Sequence, residues 1–159
     1  MYGTRKPDET LVFISMASPG EFARLAEEFP WATFYAEDDK ADWGHAKREA
    51  GVERATKDYL GFFNDDDSYH PAYLEMLMAA AERADADAVY CDWSGMSNCG
   101  FHAGSSTSGN FIVRTQLARE VGYPGTQNYE NDGVFINRVQ RAALTIVKIP
   151  QTLYHHNHQ

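Results

Sequence analysis

Residues Phe62 to Pro71 read FFNDDDSYHP: an apolar strand, Tyr59 to Phe63, runs directly into Asn64 and three aspartates, Asp65, Asp66 and Asp67. Adjacent carboxylates repel one another, so the cluster costs stability unless a cation neutralises it. A hard divalent cation is the natural neutraliser, because Mg²⁺ or Mn²⁺ sits on one or two carboxylates together with substrate phosphates. The alternative is a solvated acidic turn in which Asp67 or Ser68 caps the helix that follows Pro71. A calcium EF-hand loop is excluded, since Tyr69 stands where that loop needs glycine and a strand leads into it.

Towards the N-terminus, Leu11 to Ala17 and Ala32 to Ala36 read as short buried strands. Between them Phe22, Leu25, Ala26 and Phe29 recur at helical spacing over Glu21 to Phe29, and Pro30 stops the helix. A helix of mixed polarity, His45 to Thr56, precedes the acidic strand end. Beyond Pro71, Leu74, Leu77, Met78 and Ala81 make the stripe of another helix, followed by a strand at Ala88 to Cys91. Asp92 to Ser108, rich in Gly, Ser and Asn, reads as a long functional loop. Then come a strand at Phe111 to Val113, a helix at Thr115 to Val121 and a loop from Tyr123 to Tyr129. A helix follows from Asn131 or Asp132 to about Ala143, and closing strands at Thr145 to Ile149 and Leu153 to His156 flank Pro150. Alternating strands and helices predict an α/β fold with a mixed, mainly parallel sheet flanked by helices. The loops after Ala17, Ala36, Phe63 and Cys91 then share one crevice at the carboxyl ends of the strands.

Composition sets the limits. With 159 residues, 43% of them hydrophobic, the chain suits a single domain over residues 1–159. Fourteen Lys and Arg against 23 Asp and Glu give a charge of -9, which repels phosphate backbones and argues against a nucleic-acid partner. No apolar run approaches the roughly 18 residues of a membrane span, and the polar stretch Tyr2 to Thr10 is no signal peptide. Cys91 and Cys99 fit no zinc pattern or disulfide framework and read as reduced thiols, which suggests a cytoplasmic protein.

The segment Gly44 to Leu77, GHAKREAGVERATKDYLGFFNDDDSYHPAYLEML, resembles the central block of the family 2 glycosyltransferases of the GT-A fold. Arg48 and Gly51 match the family's helix, Ala55 and Asp58-Tyr59 the approach to the strand, and Asp66-Asp67 the end of its Asp cluster. Glu49, Lys57 and Asn64 depart from the usual Asn, Gly and Asp. Asp65 with Asp67 also forms a literal Asp-x-Asp. Downstream, Gly109 to Arg114, then Val121-Gly122-Tyr123, then Glu130-Asn131-Asp132 with Phe135 and Arg138 keep the family's order, with Tyr123 where its Gly-Gly-Phe carries Phe. Tyr154-His155-His156-Asn157-His158 resembles its closing segment. In this reading two βα units precede the Asp cluster, where the family usually has three, so the chain resembles a near-minimal version.

The resemblance implies a metal-dependent, inverting transfer of a sugar from a nucleotide-diphosphate donor, with a uridine diphosphate sugar expected. The acceptor is unspecified: a carbohydrate, lipid-linked or protein hydroxyl. Mn²⁺ or Mg²⁺ would be held by Asp66 and Asp67, with His156 or His158 as further ligands. Asn64, Asp65, Asp66, Arg48, Glu37 and Asp38 would meet the donor, and Asp132 would be the general base. Each has an alternative. Asp132 could serve only as an N-cap, the histidines as a solvated tail, Arg48 as a surface partner of Glu37 or Asp38, and Glu37 to Asp39 as a solvated loop. Trp93 could stack on a sugar or close the core. The rival for the whole chain is a non-catalytic nucleotide-sugar or glycan-binding module on the same fold.

Overall fold

The computed structural model of the protein describes residues 4–15, 18–37, 43–125 and 130–157. Strand β1 (Leu11–Ser15) pairs in parallel with β2 (Thr33–Glu37), joined by helix α1 (Pro19–Glu28). The helix begins two residues earlier than its apolar spacing suggests. Ser18 caps it: its hydroxyl accepts from the Glu21 N–H while the Glu21 carboxylate accepts from the Ser18 N–H, and Pro19 opens the first turn without needing a hydrogen bond. Helix α2 (His45–Arg54) lies on this pair, with the Arg54 guanidinium 4.6 Å from the Tyr35 ring centroid.

The second sheet has the order β3 (Tyr59–Gly61), β6 (Phe111–Arg114), β5 (Ala88–Trp93), β7 (Ile146–His155), β4 (Ser68–Tyr69). Among its described strands only β5 and β7 run parallel; the β3–β6, β5–β6 and β4–β7 pairings are antiparallel. The helix-flanked, mixed α/β architecture is as expected, and among the described ladders the two parallel ones hold more of the paired residues than the three shorter antiparallel ones. What βα alternation along the chain does not reveal is β6, which enters between β3 and β5 as an antiparallel strand through non-local pairing.

Side chains alternate across β5 and β6, as a pleated strand requires. Ala88, Phe111 and Val113 face one core, closed by Val52 of α2, by Leu117 and Ala118 of α4 (Thr115–Val121), and by Phe135, Ile136 and Val139 of α5 (Asn131–Ala142). Val89, Cys91 and Ile112 face the other, covered by Tyr73, Leu77, Ala80 and Ala81 of α3 (Tyr73–Ala84). Both cysteines are buried and unpaired with each other.

Three details steer the site. The expected closing strands are one strand: Pro150 lies where the register between β5 and β7 shifts past Cys91, so its missing N–H interrupts no regular ladder. The two-residue strand β4 fastens the end of the acidic turn to that strand, Ser68 opposite His155 and Tyr69 opposite Tyr154. The long loop after β5 is pinned from below. The Asn110 side chain donates to the Cys91 carbonyl at 2.7 Å, buried Asp92 accepts from the Cys99 N–H at 2.9 Å and lies 3.0 Å from the Lys148 ammonium, and the Trp93 indole donates to the Ser105 carbonyl. Trp93 thus belongs to the loop's own packing.

Gly109, just before β6, lies against the buried Tyr154 ring, where an added Cβ would meet ring carbons at 2.5 Å. The ring is fully buried and has nowhere to go. Gly109→Ala is therefore expected to cost about 1–3 kcal/mol of folding stability by overpacking, read as a lower denaturation midpoint in urea.

Candidate functional site

The acidic turn, the start of α2, the start of α5 and the end of β7 meet at one place. They are joined by contacts that run from Asp132, through an ion pair and then hydrogen bonds, to the C-terminal tail. The Arg48 guanidinium lies 3.9 Å from Asp132 Oδ1, donates to the Trp43 carbonyl at 2.8 Å, and donates to Asn64 Oδ1 at 2.8 Å. The Asn64 amide then donates to Asp67 Oδ2 at 2.7 Å. Asn64, which stands where the resemblance leads one to expect a carboxylate, can thus accept from a cation on one side and donate to an anion on the other.

Asp67 is the centre of this arrangement. Its side chain is 0% exposed, and besides Asn64 it accepts from the Tyr154 hydroxyl at 2.7 Å, the Asn157 N–H at 3.1 Å and His156 Nδ1 at 2.8 Å. Burial alone would push its carboxyl up, but the donors from Tyr154, Asn64, Asn157 and His156 outweigh it and hold the group below the ordinary carboxylate range. An ionised carboxylate only accepts, so His156 carries its proton on Nδ1. Four donors occupy the Asp67 oxygens, so in this structure it anchors the chain around the site. Asp65 and Asp66 are exposed and are the carboxylates turned to solvent.

Asp132 is the second residue of α5, not its cap. Glu130 holds the cap position and makes no side-chain capping bond. Asn131, buried beside it, donates to the Pro124 carbonyl at 2.9 Å and fixes the start of the helix to the loop after α4. The Asp132 carboxylate accepts from the Tyr123 hydroxyl through Oδ1, and His45 Nδ1 lies 3.6 Å from the same oxygen. No described residue bonds Oδ2, and the side chain is 29% exposed. Burial, followed by the neighbouring Asp132 charge, pushes the Tyr123 phenol far up, so it stays a donor at any working pH.

The sequence-derived candidates Arg48, Asn64, Asp67, His156 and Asp132 are thus brought into one network, with Asp65 and Asp66 on its exposed edge. Of the four expected loops, those after β3 and β5 meet here, the latter where Ser94 Oγ accepts from the His156 N–H at 3.1 Å; residues 16–17 and 38–42 of the other two lie outside the described residues. Glu37 ends β2, and its side chain, together with Asp38, Asp39 and His158, lies outside the described residues. Sequence reasoning missed His45 and Tyr123, and gave no role to Tyr154 or Asn157. The only available signal was the place of Tyr123 after Gly122 and of Tyr154 ahead of the histidines.

Whether a divalent cation suits this site depends on the donor set. Among the described residues no three His, Cys, Asp or Glu side chains form a ready metal cage. Two exposed carboxylates still fit a hard cation that draws its remaining ligands from phosphate and water. The Asp67–His156 contact is also the kind of outer partner that orients a ligating imidazole.

Comparison with known proteins adds the following. Residues 5–141 match the family described as Glycosyl transferase family 2. No curated protein sequence matches. The fold is similar to that of S. aureus TarS 1-349, with a TM-score of 0.76 at 14% identity, covering 94% of this chain and 51% of that one. The same protein in complex with UDP-GlcNAc gives 0.76 at 14% identity, covering 95% and 50%. The chain therefore spans about half the length of these two solved structures. No described helix is long and apolar enough to cross a membrane.

The depressed Asp67 carboxyl ties stability to pH. Its contribution is complete above the unfolded-chain value of about 3.9 and is lost as the pH falls through the lower folded value. Asp67→Asn is expected to cost about 3 kcal/mol at neutral pH and to flatten the acid side of the stability profile, both visible in urea unfolding repeated across pH.

Proposed function

The chain belongs to glycosyl transferase family 2, and from that membership we propose that it moves a sugar from a uridine diphosphate-linked donor to an acceptor hydroxyl, with inversion at the anomeric carbon. The choice of donor is supported by the solved complexes of S. aureus TarS 1-349 with UDP and with UDP-GlcNAc. The observation that carries the reading is the line of contacts from Asp132 through Arg48 and Asn64 to Asp67, which holds a partly exposed carboxylate and an acidic turn on one frame.

In this reading Asp132 is the general base. Its Oδ1 is engaged by Tyr123, so Oδ2 is the oxygen available to an acceptor. As the acceptor oxygen bonds to the anomeric carbon, the bond to the diphosphate breaks and its electron pair leaves with the diphosphate. The acceptor proton passes to Oδ2. A divalent cation, Mn²⁺ or Mg²⁺, held by Asp65 and Asp66 with His156 as a further ligand, would act as a Lewis acid offsetting the charge of the departing diphosphate. Arg48, fixed by Trp43 and Asn64, adds a positive charge between the two carboxylate groups in a chain of net charge -9.

Two measurements test this. Isothermal titration with UDP should give clear binding in Mn²⁺ and little in chelator; equal binding in both removes the cation from the scheme. Asp132→Asn should lower transfer from UDP-GlcNAc, or its hydrolysis, by about a hundredfold or more, with UDP binding nearly unchanged. Binding by the native chain without turnover to any acceptor or to water would favour the non-catalytic module instead.

A further inference from the structure

The candidate base is gripped from behind by two residues to which the sequence assigned no chemical role. Tyr123 is 4% exposed and His45 2%. His45 Nδ1 lies 3.1 Å from the Tyr123 hydroxyl, and that hydroxyl also contacts Asp132 Oδ1. A phenol has one proton. Because the Asp132 carboxylate can only accept, the Tyr123 proton points to it, and the phenolic oxygen is left to accept from His45 Nδ1–H and from the Arg48 guanidinium beside it. The three groups form one directed chain, each bond polarising the next.

We infer that Tyr123 is a positioning residue for Asp132, held in turn by His45: it fixes Oδ1 so that Oδ2 faces the acceptor. This rests on the reading of Asp132 as the base. The Tyr123 ring packs among Phe62, Phe135 and His45, with centroids 5.6, 4.9 and 6.1 Å away, so it cannot swing aside. Among the described residues the charged or titratable groups facing the carboxylate are Tyr123 from the loop after α4 and His45 and Arg48 from α2. Arg48, at 3.9 Å from the carboxylate, is the loosest of the three and is shared among the Trp43 carbonyl, the Asn64 amide and the Tyr123 phenol. Tyr123 therefore sets the carboxylate's orientation. The resemblance places Tyr123 where the family motif carries Phe, so the ring fills a packing position and the hydroxyl is an addition.

Tyr123→Phe separates the two roles, because it keeps the ring and deletes only the hydroxyl. On the full chain, with UDP-GlcNAc as probe, the substitution should lower kcat for hydrolysis about tenfold while KM stays within about twofold and the thermal midpoint shifts little. In an Asp132→Asn background it should have no further effect. An activity-independent readout is proton NMR: the native chain should show a downfield hydroxyl resonance that disappears in Tyr123→Phe and moves in Asp132→Asn. Unchanged kcat in a folded Tyr123→Phe, with Asp132→Asn inactive, overturns the positioning role alone. Full activity of Asp132→Asn instead overturns the base reading. Absence of a hydroxyl resonance that depends on both residues overturns the contact itself, whatever the turnover.

Discussion

One buried carboxylate organises this molecule. Asp67 lies out of solvent with four donors around it, contributed by the acidic turn itself, by β7 and by the two residues that follow β7. Burying a charge is unfavourable unless its oxygens are satisfied, so the turn, the strand end and the tail must assemble together or not at all. Tyr154 shows how far the condition reaches. Its ring closes the core over α3, its hydroxyl serves Asp67, and a glycine at position 109 leaves it room. Core packing and the electrostatics of the site are therefore the same problem here.

The run of three aspartates separates into two kinds of residue by burial. Asp67 is internal and saturated, whereas Asp65 and Asp66 face solvent one and two residues earlier. Arg48 and Asn64 carry the influence of this turn across to α5. In a chain with an excess of carboxylates, one guanidinium placed between the acidic turn and Asp132 lets two negative regions lie close together without pushing the elements apart. The same guanidinium, held on both sides, has little freedom left to lose when an anion binds.

The local elements of the fold were legible in the sequence because they follow local rules. The apolar runs at β1, β2 and β5, the helical stripe of α3 and the abrupt end of β3 at the acidic turn can all be read residue by residue. Strand partners could not, because the antiparallel insertion of β6 and the two-residue β4 depend on contacts far apart in the chain. The site shows the same division. Arg48, Asn64, the aspartates, Asp132 and His156 carry motif signals, and they converge. That Asp67 would be internal is a tertiary fact with no local signature. The roles of His45 and Tyr123 were hidden for a related reason: a histidine at the start of a polar helix and a tyrosine in a loop become meaningful only when folding buries them against the same carboxylate.

The unbroken course of β7 through Pro150 has a mechanical consequence. Because β7 pairs with β5 along one side and with β4 along the other, the acidic turn and the tail at His156 and Asn157 are clamped to the centre of the sheet and form a fixed jaw. Asp132, His45 and Tyr123 belong to the opposite jaw, built from α2, the loop after α4 and the start of α5. Arg48 bridges the two through Asn64. Both sides are therefore anchored to one sheet, the first by strand pairing and the second by the packing of α2, α4 and α5 on β6, so the sheet itself sets the gap that Arg48 spans.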